Sequence, residues 1–314
     1  MIAMKQLFFV CTILLLAISC SKEGKQPPID NQKDLDGTII QDSSIVYPER
    51  FLLSAAMPKM LNPDLNRPVL ICAHGFSATT FEWLEMRDYA KSNGFYTSLV
   101  LLGGHGTNYN DFKDARWEDW QEPIIEEYNK LTDLGFTNVS IVGSSTGAAL
   151  VLDALYENKL NTGFLNSVFL IDPIVIPSNK SLSLVKVLGP LLSYTETTFT
   201  PDEVGFWYRF RPYQALDQLN ELTKKVRKKL EKGIDEFPST MQIIVYKAQK
   251  DNAADPISAV LIEKGINSDK KINIRMIDSD LHVFTRLKGR LDVTEKDQLN
   301  QTNAFEAIKN VLIQ

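Results

Sequence analysis

The sequence predicts an α/β protein in which a mostly parallel central sheet is covered by helices on both faces. Two observations support this fold class. From Arg67 onward, short apolar runs alternate with helical patterns, as in repeated βα units. The runs are apolar at successive positions, which is typical of strands buried on both faces of a sheet. The 314 residues are 44% hydrophobic and 23% charged, a composition that supports a packed core.

Residues 1–20 are expected to form a signal peptide outside the folded domain. Lys5 gives the segment a positive charge, and its apolar run at 7–18 is shorter than the roughly 20 residues that span a bilayer. The run ends at Ser19-Cys20, before polar residues, and resembles a bacterial lipoprotein signal. We therefore expect lipid on Cys20 to anchor an exported protein to a membrane of the bacterial cell envelope. An ordinary secretory signal with an incidental cysteine is the alternative.

The next segment, residues 21–37, is polar and contains Pro27-Pro28. It is predicted to be a flexible tether. The folded domain is then expected to cover residues 38–314, and its first part, residues 39–56, is compatible with an antiparallel hairpin at the sheet edge.

Six runs are predicted to be strands, at residues 69–73, 96–102, 139–142, 167–171, 241–246 and 272–277. The first predicted helix begins at a capping box of Thr79 and Glu82 and ends at Gly94, and a second, amphipathic helix ends at Gly135. Three more helices are predicted at 147–159, near 255–264 and near 302–313. Cys72 lies within the first run and is expected to be buried and unreactive.

Residues 173–238 interrupt the alternation and are rich in leucine, aromatic residues and proline. We interpret this segment as a helical cap insertion over the carboxyl ends of the strands, where α/β proteins bind ligands. The basic run at 224–229 is interpreted as the solvated face of a helix. Contact of this run with an anionic membrane surface is the alternative.

The composition argues against several classes of function. A net charge of −5 argues against nucleic acid as the main partner, because binding phosphates needs an excess of positive charge. The three cysteines provide neither a zinc site of the CxxC type nor a disulfide framework. Any mechanism that needs an imidazole base has three candidates, His74, His105 and His282.

A G-x-S-x-G motif at 143–147 lies between the third strand and the helix that follows it. In this context the motif predicts a nucleophile elbow, because small residues on both sides let a sharp turn lift the central serine above the sheet. The register makes Ser145 the nucleophile. A plain turn between strand and helix is the alternative.

A serine in such an elbow needs an acid and a base, which follow it in the order acid, then histidine. His282 is the only histidine after Ser145 and is therefore predicted to be the base. Asp251 and Asp255 both follow the fifth strand. Asp255 precedes Pro256 and is explained as the cap of a helix, so Asp251 is the preferred acid. Its expected role is to hold the tautomer of the imidazole.

Acyl transfer also needs N–H groups directed at the developing oxyanion. The elbow supplies the backbone N–H of Thr146. The loop after the first strand supplies that of Phe76, whose side chain is then free to line an acyl pocket. His74 and His105 are expected to brace their loops and not to catalyse. No metal or organic cofactor is implied, because the nucleophile and the base are protein groups.

Several motifs together resemble a known family. These are H-G-F at 74–76, G-H-G-T at 104–107, W-E-D-W at 117–120, the serine elbow and the late histidine. They resemble α/β-hydrolases of the bacterial carboxylesterase and monoacylglycerol lipase group, from Arg67 to the carboxyl terminus without the cap. Thr146 differs from the family pattern, in which Met, Leu or Gln is usual at that position. The resemblance implies the α/β-hydrolase fold and the same triad and oxyanion donors.

The predicted function is that of a serine hydrolase acting on small-molecule or lipid carboxylic esters through an acyl-enzyme. An aminopeptidase or thioesterase on the same scaffold is one alternative. A non-catalytic, lipid-anchored binding protein is another, because a fold does not imply a function. Dehalogenases and epoxide hydrolases are disfavoured because they need an aspartate where Ser145 stands.

Overall fold

The structure is a computed structural model and describes residues 25–30, 33–35, 64–160, 163–179, 192–234, 241–267 and 272–314. The predicted signal peptide, Cys20 and the predicted hairpin at 39–56 lie outside the described residues. Within the described ranges, no helix combines the length and the apolar character that crossing a membrane would require.

The central sheet has six strands, and every pair of neighbouring strands is parallel. The strands are β1 (Val69–Ala73), β2 (Tyr96–Val100), β3 (Val139–Ser144), β4 (Leu165–Ile171), β7 (Gln242–Ala248) and β8 (Asn273–Ile277). Their spatial order is β2-β1-β3-β4-β7-β8. All six predicted strands are present, so the predicted fold class is confirmed.

Helices cover both faces of this sheet. They are α1 (Leu84–Asn93), α2 (Tyr109–Asp114), α3 (Trp117–Asp133), α4 (Thr146–Tyr156), α5 (Tyr213–Lys232), α6 (Ile257–Gly265) and α7 (Glu295–Leu312). Along β1, Val69, Ile71 and Ala73 pack into one core cluster with α3, α4, α5 and α6. Leu70 and Cys72 pack on the opposite face with α1 and α7. The alternation explains why the strand is apolar at every position.

The helix predicted to end at Gly135 is two helices. Residue Ala115 is extended between α2 and α3, and α3 has its own start. There the backbone N–H of Arg116 donates to the Asp119 carboxylate at 2.7 Å. This hydrogen bond satisfies a donor at a new helix start, which the apolar periodicity alone does not reveal.

The inserted segment contains more than helix. Strands β5 (Tyr194–Glu196) and β6 (Phe210–Pro212) form a two-stranded antiparallel sheet, and α5 follows directly. Helix α5 packs beside α4 and α6. Within its basic run, Lys224, Arg227 and Lys228 are exposed, as expected for a solvated face. Lys225 and Lys229 instead pair with the buried Asp153 of α4.

Part of the predicted tether packs against the domain. Leu35 is 2% exposed and belongs to the core, and Asp34 lies 3.8 Å from the guanidinium of Arg209. The backbone N–H of Lys25 donates to Ser193 Oγ at 2.9 Å. Described residues of this segment are therefore held against the insertion, whereas a flexible tether remains the prediction for the rest of it.

Candidate active site

The G-x-S-x-G motif forms a sharp turn between β3 and α4. Ser145 has φ 48° and ψ −111°, a conformation that is strained for any residue with a side chain. Its backbone N–H donates to the Ile171 carbonyl at 2.9 Å, which ties the turn to β4. The residue is 6% exposed, so the hydroxyl lies in a largely enclosed position.

The two glycines of the motif are required because backbone atoms of neighbouring elements lie very close to them. A Cβ on Gly143 would lie 2.7 Å from the backbone nitrogen of Ala148, and a Cβ on Gly147 would lie 2.4 Å from the carbonyl oxygen of Ala73. Both distances are far below van der Waals contact. The strand, the turn and the helix can meet only without side chains at these two positions.

Two of the predicted site residues meet in a short hydrogen bond. His282 follows β8, and its Nδ1 lies 2.7 Å from Asp251 Oδ2 in the loop after β7. The other carboxylate oxygen of Asp251 accepts the N–H groups of Ala253 at 2.7 Å and Ala254 at 3.1 Å. Asp255 instead accepts the N–H of a residue in the first turn of α6. Of the two candidate acids, the structure brings Asp251 to the imidazole.

A buried lysine lies behind this pair, and the sequence reasoning missed it. Lys247 is 0% exposed, and its Nζ lies 3.0 Å from Asp172 and 2.5 Å from Asp251. Asp172 also accepts the backbone N–H of Ala248 at 2.7 Å. The signal in the sequence was a lysine inside the apolar run of β7 and an aspartate directly after β4.

The surroundings keep Asp251 ionised. Burial raises the pKa of its carboxyl group, but the hydrogen bond and charge of His282 together with the Lys247 ammonium outweigh this effect and hold the pKa well below its usual range. An ionised Asp251 is what an imidazolium partner needs.

Among the described residues, one group of side chains has the spacing of a cation site. Ligand atoms of Asp172, Asp251 and His282 lie within 4.8 Å of one another. The Lys247 ammonium already contacts both carboxylates. The arrangement therefore supplies its own positive charge, and we interpret it as an ion-pair network.

The two other histidines are structural. His74 Nε2 accepts the N–H of Leu102 at 3.1 Å, so its Nδ1 carries the proton that it donates to the Gly75 carbonyl at 2.9 Å. Burial lowers the pKa of His74 to about 4, opposed in part by the bond to Gly75. His105 contacts the Gly103 carbonyl through Nδ1, and burial lowers its pKa well below the usual value. Both rings are therefore neutral at physiological pH and brace the loops at the site.

The carboxylate of Glu82 also braces the site, which corrects its predicted role in a capping box. It is 6% exposed and accepts the backbone N–H of Gly75 at 2.9 Å and the hydroxyl of Ser144. The cap is provided by Thr79 alone, whose hydroxyl accepts the N–H of Phe81, and the segment begins as a 3₁₀ turn. Glu82 thus links the loop after β1 to the elbow.

One cavity of about 710 Å³ joins these elements. Ser145, Thr146, Phe76 and His282 all line it, and the Phe76 ring also packs against Phe112 and Trp120. The inserted segment supplies most of the opposite wall, with Tyr194, Thr195, Phe199, Trp207, Arg211, Tyr213, Leu216 and Leu219. The four lining residues predicted for the site therefore share one chamber with the insertion.

The chain is similar in sequence to a monoacylglycerol lipase and to a carboxylesterase. It is 27% identical over 232 residues to a thermostable monoacylglycerol lipase of Bacillus sp. (strain H-257), covering 70% of this chain and 85% of the relative. It is 21% identical over 253 residues to a carboxylesterase of Bacillus subtilis (strain 168), covering 78% and 96%. No family model matches the chain.

Solved structures of lipases and esterases share the fold. A soluble variant of the Saccharomyces cerevisiae monoglyceride lipase superposes with a TM-score of 0.64 at 13% identity, covering 80% of this chain and 87% of the other. A metagenome-derived lipolytic enzyme gives 0.63 at 16% identity, with 78% and 94% covered. The Paleococcus ferrophilus monoacylglycerol lipase gives 0.60 at 13% identity, with 78% and 96% covered.

Proposed function

We propose that this chain, which has the α/β-hydrolase fold and resembles monoacylglycerol lipases and carboxylesterases, is a serine hydrolase that cleaves carboxylic esters through an acyl-enzyme. The resemblance supports the ester hydrolase activity. The observation that carries the proposed mechanism is a single cavity lined by Ser145 and His282, with His282 hydrogen-bonded to Asp251 at 2.7 Å.

In the proposed reaction, the hydrogen bond to Asp251 leaves Nε2 of His282 free to accept the proton of the Ser145 hydroxyl. The serine oxygen attacks the ester carbonyl, and the backbone N–H groups of Phe76 and Thr146 stabilise the oxyanion. His282 then protonates the departing alcohol. Water, deprotonated by the same imidazole, hydrolyses the acyl-enzyme and releases the acid.

The lining of the cavity favours an ester with an apolar part. Its wall includes Phe76, Phe199, Trp207 and Leu219, which provide apolar surface for an acyl chain. A lipid ester is therefore the proposed substrate class. A thioesterase or aminopeptidase would use the same chemistry, and a panel of p-nitrophenyl esters, acyl thioesters and aminoacyl amides separates the three.

Ser145→Ala is expected to reduce ester hydrolysis at least about 10³-fold, because the covalent step is lost. A fluorophosphonate probe is expected to label the wild-type protein and not the Ser145→Ala variant, as read by intact-protein mass spectrometry. Ser92→Ala, at an exposed serine of α1, is the matched control and should still take the label. A folded wild-type protein without label or ester turnover would instead support a binding protein.

We further propose that lipid on Cys20 anchors the chain to a membrane of the cell envelope, on the sequence of its first 20 residues. Metabolic labelling with a palmitate analogue in a bacterial host should mark the wild-type chain in the membrane fraction. Cys20→Ser should lose the label and leave that fraction. A Cys20→Ser chain that stays in the membrane fraction would contradict the anchor.

A further inference from the structure

Charged side chains line the cavity, and most of them are already paired. The Glu82 carboxylate accepts the N–H of Gly75. Arg286 pairs with Glu203 at 2.6 Å. Arg290 donates to backbone carbonyls beside the imidazole, including that of Val283 at 3.3 Å. Each of these groups is therefore held by hydrogen bonds or an ion pair within the protein.

Arg211 is the exception among the described residues that line the cavity. Its guanidinium has no ion-pair or hydrogen-bond partner in the described part of the chain, and its Nε is shielded from solvent. The residue lies in the middle of β6, between the buried Phe210 and Pro212. Since successive side chains of a strand point to opposite faces, Arg211 projects away from these two neighbours, and it lines the cavity that contains Ser145.

The positive charge of Arg211 is not balanced by a carboxylate of the described residues. Burial lowers the pKa of its guanidinium to about 10, with no contribution from a carboxylate. The group is therefore still positively charged at neutral pH. Arg211 is partly buried. Withdrawing a charge from water without giving it a partner costs free energy, and a bound anion in the cavity would offset that cost.

We infer that Arg211 binds a carboxylate or phosphate group carried by the substrate that Ser145 attacks. The substrate class is then an ester with an apolar acyl chain or alcohol and one anionic oxygen group. A guanidinium can bind either group through two parallel hydrogen bonds. This inference rests on the proposed ester hydrolase function and adds the charge of the substrate to it.

The first test compares matched neutral and anionic esters. The carboxylate arm uses mono-4-nitrophenyl glutarate against 4-nitrophenyl pentanoate, and the phosphate arm uses 1-hexanoylglycerol 3-phosphate against 1-hexanoylglycerol. In at least one arm, the wild-type protein should have a higher kcat/KM for the anionic ester. Arg211→Gln should lower the ratio of anionic to neutral kcat/KM by about 30-fold or more, as expected when one partner of a buried charge pair is removed.

Two variants separate the charge of Arg211 from its structural surroundings. Arg227→Gln removes an exposed arginine of α5 that pairs with Glu231 away from the cavity, and it should leave the ratio at its wild-type value. Arg211→Lys should restore part of the ratio, because lysine keeps the charge without the bidentate geometry. Arg211→Gln should not lower the melting temperature, because the guanidinium of Arg211 has no hydrogen-bond or ion-pair partner among the described residues.

Calorimetric binding tests the inference even if no ester is cleaved. Octanoate and octyl phosphate are titrated against octanol into the wild-type and Arg211→Gln proteins. At least one anion should bind the wild-type protein more tightly than octanol does, and Arg211→Gln should lose that preference. The inference would be overturned if the wild-type protein had equal kcat/KM values for the anionic and neutral esters of both pairs. It would also be overturned if Arg211→Gln left the binding of both anions unchanged. Turnover of the neutral esters and labelling of Ser145 would leave the proposed function standing.

Discussion

Two clusters in this protein each join lysine to two carboxylates, and they differ in their surroundings. The buried cluster consists of Lys247, Asp172 and Asp251, whose side chains are all 0% exposed. The helix cluster joins Lys225 and Lys229 of α5 to Asp153 of α4 and to Glu157 at the end of that helix. In the helix cluster Asp153 is buried, but the Lys225 and Glu157 side chains are 34% and 38% exposed. Similar ion pairs therefore stand in very different dielectric environments.

The two clusters also differ in the number of partners that hold their carboxylates. In the helix cluster, Asp153 accepts hydrogen bonds from Lys229 and from Gln121, both at 3.0 Å, and it also pairs with Lys225. In the buried cluster, Lys247 is the one cation that contacts both Asp172 and Asp251 among the described residues. We therefore expect the helix cluster to tolerate the loss of one lysine and the buried cluster not to.

The largest effect is expected for Lys247→Met. Its removal leaves two buried carboxylates without their shared cation, which should lower the free energy of unfolding by about 3–5 kcal/mol. The pKa of Asp251 should rise, because the neighbouring Asp172 charge is no longer balanced, so the fall in ester hydrolysis on acidification should begin at a higher pH. Urea unfolding and the pH profile of kcat measure the two effects.

The Lys247→Met, Asp172→Asn double variant is the control for that result. Neutralising Asp172 removes the uncompensated charge, so the double variant should recover part of the stability and shift the pH profile back. A single variant as stable as the wild-type protein would show that the cluster contributes no net stability.

The smallest effect is expected for Lys229→Met in the helix cluster. Asp153 keeps Lys225 and Gln121 as partners, so the free energy of unfolding should fall by no more than about 1 kcal/mol. Ester hydrolysis should be unchanged. The exposed Lys228→Met on the same helix serves as the matched control in the same urea titration. If Lys229→Met lowered the free energy of unfolding as much as Lys247→Met does, the two clusters would not differ in their tolerance to the loss of a lysine.

The sequence was sufficient for the parts of the fold that local patterns encode. The first strand was predicted at 69–73, as observed, and the other five lie within a few residues of their predictions. Apolar runs and turn residues are local signals, so they locate elements without knowledge of their neighbours. The elbow around Ser145 is local in the same sense, and chain order alone left His282 as the candidate base of the predicted triad.

The groups that were missed depend on which strands become neighbours. Lys247 and Asp172 are separated by 75 positions, and they meet because β4 pairs with β7. Glu82 was assigned to a capping box because its spacing from Thr79 fitted one, whereas in the fold its carboxylate accepts the backbone N–H of Gly75. The unpartnered state of Arg211 also follows only from the packed insertion. Sequence patterns carry little information about such long-range contacts.

The neutral state of His74 has a consequence for acid tolerance. Its pKa is about 4 in the folded protein against 6.5 for an unperturbed imidazole, so the unfolded chain takes up a proton at this residue before the folded chain does. Stability that is fully present above pH 6.5 is therefore lost progressively as the pH falls towards 4. His105, whose pKa is also lowered, acts in the same direction. The imidazoles that support the loops of the site thus link the shape of that site to the acidity that the whole domain can withstand.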